Sequence, residues 1–92
     1  WSVFREQGAI AAAIQDYERV LRSRTDAHAS PMAIGEAMTE LGFGYLHQRH
    51  LLRGRDLVRA GVDLMKSTAG RKGFLVRAMR KLVFAYTVTA IP

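Results

Sequence analysis

Residues 38–62 read MTELGFGYLHQRHLLRGRDLVRAGV. Met38, Leu41, Tyr45 and Leu46 recur at the i, i+3, i+4, i+7 spacing of an amphipathic helix. Ile34 extends the stripe backwards, to Ser30 and Pro31. Ser at that point accepts a bond from an orphan helix N–H, and Pro at the first helical position forfeits no hydrogen bond. The pattern breaks between His47 and His50, then resumes from Leu51 to Lys66 with Leu57, Val58, Gly61, Val62 and Met65 facing inward. Gly42, Gly54 and Gly61 fall among these apolar positions, where a missing side chain lets helix backbones approach. The expected unit is a helix, a short connection and a second helix.

The same reading extends in both directions. Residues 9–24 put Ile10, Ala13, Ile14, Tyr17, Val20 and Leu21 on one helical stripe, and residues 24–29 read as a loop. Residues 67–73 contain two glycines and read as a turn. A fourth helix is expected from near Gly73, with Ala78, Met79, Leu82, Val83 and Tyr86 inward and the β-branched run Thr87-Val88-Thr89 fraying. No stretch shows sustained strand alternation, so the expected class is all-α.

An offset of 41 residues brings matching residue types into register. It aligns Phe4, Tyr45 and Tyr86, pairs Ala13 with Gly54, Tyr17 with Val58, Val20 with Gly61 and Leu21 with Val62, and matches Met38 to Met79 and Leu41 to Leu82. A period of this size is the mark of stacked helical hairpins, because a two-helix unit cannot bury its apolar stripe alone.

At these residues the chain resembles the tetratricopeptide repeat family. Residues 8–21, with Gly8, Ala13, Tyr17 and Val20, are similar to that family's second helix. Met38, Leu41, Gly42 and Tyr45 are similar to the first helix of the next repeat, Gly54, Val58 and Gly61 to its second, and Met79, Leu82 and Tyr86 to the first helix of a third. The period exceeds the family's usual length of about 34, and Pro31 opens a helix instead of closing one. The resemblance implies antiparallel helix hairpins stacked as a short α-solenoid. Residues 1–92 form one domain: a partial repeat over 1–29, a full repeat over 30–70 and a partial repeat over 71–92. Such a unit is expected to be an excerpt of a longer array, or to self-associate through its solenoid ends.

The resemblance also implies a function. In this family the first helix of each pair lines a groove that receives a peptide or helix of another protein. The matching faces offer Glu36, Thr39, Glu40, Phe43, Leu46 and His47 from one repeat and Arg77, Arg80, Lys81, Phe84 and Val88 from the next. Of these, Thr39, Phe43, Leu46, His47, Arg77, Arg80, Lys81 and Phe84 are the expected partner contacts. Phe43 and Phe84 stand one period apart, and Arg77, Arg80 and Lys81 at i, i+3 and i+4 are expected to grip a carboxylate. The family's carboxylate-clamp form uses Asn side chains, and the sequence has none.

Charge points to an acidic or amphipathic partner. The chain of 92 residues carries 14 Lys and Arg against 8 Asp and Glu, a net +6. Residues 1–40 carry a net −2 and residues 41–92 a net +8. Such a field favours an acidic peptide, a nucleic acid or an anionic surface. Nucleic-acid binding by the basic C-terminal half is the alternative reading, although no base-reading motif is present.

Catalysis finds little footing. There is no cysteine, which removes thiolate metal sites and thiol nucleophiles and is compatible with a cytoplasmic location. His47 and His50 lack a carboxylate at ligand spacing. Glu36 and Glu40 read as a solvated helix face rather than an acid–base pair. Residues 70–73 lack the spacing and the Ser or Thr of a phosphate-binding loop. No enzyme activity, cofactor, metal or membrane span is expected.

Overall fold

The structure, a computed structural model, describes the backbone of residues 2–67 and 72–90 and the side chains of residues 7–67 and 75–90. The Phe4 side chain and the basic pair at 71–72 therefore lie outside the described residues. The described chain is all-α: α1 (Ser2–Asp26), α2 (Pro31–His47), α3 (Leu51–Lys66) and α4 (Lys72–Thr89). Each helix touches the next, and α2 also touches α4.

The helix boundaries follow from local chemistry. Ser30 caps α2 through its Oγ, which accepts from the Ala33 N–H at 3.2 Å, and Pro31 occupies the first turn. α1 and α2 both end in a residue at positive φ, His28 (53°) and Arg49 (67°). In each turn an N–H reaches back five residues: Ala29 donates to the Arg24 carbonyl (2.9 Å) and His50 to the Tyr45 carbonyl (3.0 Å). This is the Schellman geometry, where glycine is the usual occupant. A side chain in the left-handed region costs about 1 kcal/mol. Arg49→Gly is therefore expected to stabilise the protein by about 0.5–1 kcal/mol, read as a raised midpoint in urea unfolding; an unchanged or lowered midpoint contradicts this.

Three boundaries differ from the sequence reading, the first being the start of α1, which lies at Ser2 instead of near residue 9. Residues 24–26 continue α1 instead of opening a loop. α4 stays helical through Thr89 instead of fraying, and its hydroxyls are satisfied within the helix: Thr87 Oγ1 donates to the Val83 carbonyl and Thr89 Oγ1 to the Ala85 carbonyl, both at 2.8 Å.

The α2–α3 hairpin is the centre of the molecule, and glycine decides its geometry. A Cβ placed on Gly42 would stand 2.8 Å from the Gly54 carbonyl oxygen, and one on Gly54 would stand 2.8 Å from the Gly42 oxygen. Gly35 and Gly61 repeat the arrangement at 2.8 and 2.7 Å. Gly35 thus opposes Gly61 and Gly42 opposes Gly54, so the helices run antiparallel with their backbones in contact at two levels. Carbonyls this close to glycine Cα atoms favour weak C–H···O bonds. Thr39 fits the same seam. It is 1% exposed, with its hydroxyl donating to the Glu36 carbonyl at 2.8 Å and its methyl toward Gly61.

The core divides around α2. On one side Leu46 joins Val58, Val62 and Met65 of α3 and Ala78 and Ala85 of α4. On the other, Leu41 and Tyr45 meet Ile14 of α1, flanked by Ile10, Tyr17, Leu21 and Leu57. At its end, α1 is tied to α2 by Arg24, which donates to the Ala33 carbonyl at 2.6 Å and lies 3.6 Å from Glu36.

α4 departs most from expectation. Ala78 is buried and Leu82 half-buried, but Met79, Val83 and Tyr86, expected inward, are 40%, 65% and 40% exposed. Tyr45 is buried while Tyr86 is not, so the aligned tyrosines do not share one environment.

Candidate functional site

The seam with α3 takes one face of α2, and α1 takes another. The remaining face, Glu36, Glu40, Phe43 and His47, turns toward α4. There Lys81 donates to Glu40 at 2.7 Å and Phe43 meets Phe84 edge-on, with ring centroids 5.3 Å apart. Both contacts join residues 41 positions apart. They also advance in the same direction along the two helices, so α2 and α4 run parallel.

An aromatic cluster spans the two helices. His47 sits 4.6 Å from the Phe43 ring and stacks on Phe84 at 6.1 Å with an interplanar angle of 20°. Its Nδ1 lies 2.9 Å from the Phe43 carbonyl oxygen, which orients the imidazole along the helix. Lys81 Nζ lies 5.7 Å from the Phe43 centroid, within cation–π range. Phe43 is half-buried against the core, whereas His47 and Phe84 are exposed. The cluster therefore has an anchored base and an open aromatic surface.

Beside it lies a shallow depression lined by Tyr17, Glu36, Glu40, Arg77, Ala78 and Lys81, with Thr39 and Met65 below. Its charges alternate across the helices: carboxylates from α2, bases from α4. The Glu40–Lys81 pair is well shielded on the lysine side, at 15% exposure.

The eight residues expected to contact a partner do not all share this face. Phe43, His47, Lys81 and Phe84 come together. Arg77 lines the neighbouring depression. Thr39 and Leu46 belong to the interior, because both point into the α2–α3 seam and neither presents a surface to a partner. Arg80 faces away, among Val76, Met79 and Val83. Adjacent helical positions stand about 100° apart, so Arg80 and Lys81 do not act on one carboxylate. Lys81 already serves Glu40, which removes the expected three-base grip.

Glu36 and Glu40, expected on a solvated helix face, both have cationic neighbours, Arg24 and Lys81. The signal for the first was available in the offset, since opposite charges stand at positions 40 and 81. The basic residues of α3 do not form a uniform field. Arg53 lies over the Tyr45 ring at 4.3 Å, Arg55 pairs with Asp56 at 3.3 Å, and Asp63 stands among the exposed residues. Among the described residues no group of three His, Asp or Glu is placed to bind a metal ion, and no helix is long and apolar enough to cross a membrane.

No protein-family model, curated protein or solved structure matches the chain.

Proposed function

We propose that the chain is a tetratricopeptide-like stack of helix hairpins that binds a segment of another protein on the face shared by α2 and α4, and that it binds rather than catalyses. The observation that carries this reading is the open aromatic surface of Phe84 and His47 on the anchored ring of Phe43, beside alternating charges. Direct contact between residues 41 apart supports the stacking, since neighbouring units of an array place equivalent residues side by side. The α1–α2 and α3–α4 contacts support it too. Ile10, Tyr17 and Leu21 pack beside Leu41, while Leu51, Val58 and Val62, each 41 further on, pack with Leu82.

The same surface refines the partner. With Lys81 engaged by Glu40, a purely acidic segment finds fewer cations than the sequence promised. The chemistry fits an amphipathic helix or peptide. Its apolar side chain rests on Phe84 and His47, and its polar side meets both signs of charge.

Libraries of labelled amphipathic and acidic peptides, titrated by fluorescence anisotropy, test the reading. Phe84→Ala is expected to weaken a bound amphipathic peptide by about 10- to 100-fold. The variant loses some stability with the Phe43 edge contact but should remain folded, because Phe84 is 41% exposed. Equal affinity of wild type and variant overturns the site. Salt-dependent binding of an oligonucleotide, with no peptide bound, favours the nucleic-acid alternative.

A further inference from the structure

The exposed apolar face of α4 is one side of a second hairpin-like contact. Its residues Val76, Arg80, Val83 and Thr87 stand 41 positions after Gly35, Thr39, Gly42 and Leu46, the residues of α2 that α3 covers. In α4 this face is open: Val76 is 51% and Val83 65% exposed. α1 shows the reciprocal condition. The residues of α3 that fill the seam are Gly54, Val58, Gly61 and Met65. Their counterparts 41 positions earlier are Ala13, Tyr17, Val20 and Arg24. Tyr17 and Arg24 lean on α2, but beside them Ala13 is part-exposed and Asp16 and Val20 are exposed, so this flank of α1 is open.

We propose that α4 of one copy of this chain pairs antiparallel with α1 of a second copy, joining the molecules head to tail. The register follows from the hairpin. Gly35 opposes Gly61 and Gly42 opposes Gly54. Moving the first member of each pair forward by 41 and the second back by 41 sets Val76 against Val20 of the second copy and Val83 against its Ala13. The same register sets Arg80 against Asp16 of the second copy. This supplies the charge complementarity that selects a copy of this chain over an unrelated apolar helix. Asp16 is exposed, and its contact with Arg19 at 3.3 Å is a surface pair that rearranges at little cost. Valines in place of glycines hold the helices at an ordinary packing distance, without the backbone contact of α2 and α3.

Because the two surfaces differ, the contact does not close on itself as a two-fold dimer does. Each added copy leaves the same two faces open, so association continues with concentration. The inference rests on the stacked-repeat reading, and the experiment keeps the two apart. In sedimentation velocity the wild-type mass is expected to climb past that of a dimer as concentration rises. Val83→Glu blocks one face and Val20→Glu the other, so each variant alone remains monomeric. Mixed, they form a one-to-one complex through the two faces left intact. Arg80→Glu is expected to weaken association about tenfold, and adding Asp16→Arg to the same chain restores it.

A wild-type chain that stays monomeric at every concentration overturns the proposal, as does a closed dimer whose two blocked variants fail to complement. The stacked-repeat reading has its own readout on the Val83→Glu chain. Additive stability losses for Phe43→Ala and Phe84→Ala would remove the α2–α4 adjacency itself. Non-additive losses without association remove only the head-to-tail contact.

Discussion

Replacing Gly42 by Ala is expected to cost the protein about 2–3 kcal/mol of stability. The new methyl would lie 2.8 Å from the Gly54 carbonyl oxygen, 2.7 Å from Val58 Cγ2 and 2.9 Å from the Val58 nitrogen. Two of these three atoms are backbone, so no rotamer change relieves the clash, and α2 and α3 must separate along their length. Ala is the better helix former by about 1 kcal/mol, which works against the loss but does not cancel it. Gly8 provides the control. A Cβ there meets nothing within 4 Å, so Gly8→Ala is expected to stabilise by up to about 1 kcal/mol through propensity alone. Gly61→Ala added to Gly42→Ala should cost less than it does alone, because both substitutions open one interface. Urea unfolding of the four variants gives the answer. If Gly42→Ala stabilises as Gly8→Ala does, the backbones are not in contact.

Tyr45→Ala is expected to be worse still, at about 3–5 kcal/mol. Its ring is 6% exposed and fills the space between α1, α2 and the start of α3. Truncation leaves Ile14 and Leu41 facing a void. It also removes the ring beneath the Arg53 guanidinium at 4.3 Å and the edge contact with His50 at 6.2 Å. Tyr45→Phe separates packing from polarity. The hydroxyl donates to Glu18 Oε1 over 3.4 Å, a long bond whose loss should cost no more than about 1 kcal/mol. A Tyr45→Ala loss below about 1 kcal/mol would place the ring outside the interior.

The phenol also gives stability an alkaline dependence. Burial raises its pKa above the ordinary 10.0, the Glu18 carboxylate raises it further, and Arg53 opposes both. The unfolded chain therefore releases this proton first. As pH climbs past about 10, deprotonation favours unfolding until the folded phenol ionises as well. A wild-type stability that declines more steeply than that of Tyr45→Phe above pH 10 is the expected result.

Much of this was readable in the sequence, and particular residues show why. Ser30 and Pro31 mark the start of α2 by local chemistry, and the α3 boundaries at Leu51 and Lys66 follow from the apolar stripe. Local rules suffice where hydrogen bonds close within a few residues. The contact surface of α4 was misread because a 3.6-residue pattern identifies an apolar stripe but not what covers it. Met79, Val83 and Tyr86 fit the stripe and stand open.

The seam was only partly legible. Gly42, Gly54 and Gly61 signalled close approach, yet the sharper signal was their spacing with Gly35. Glycines recur seven apart in both helices and so oppose each other in an antiparallel pair. That spacing also explains why Thr39 and Leu46 turn inward and only one flank of α2 remains for a partner. At the site, the offset brought Phe43 and Phe84 together correctly. The base cluster failed because adjacent positions on a helix diverge, sending Arg80 to a different surface from Lys81.

A pair of rods meshed main chain to main chain resists sliding. A shift of one turn would drive the Gly42 and Gly54 oxygens against the neighbouring side chains Leu46 and Val58. The outer flank of α2 is thus a fixed template, and an incoming segment must do the adjusting. Ordering entropy then falls mainly on the visitor, so a ligand stapled in advance into its bound shape should gain more here than on a pliable receptor.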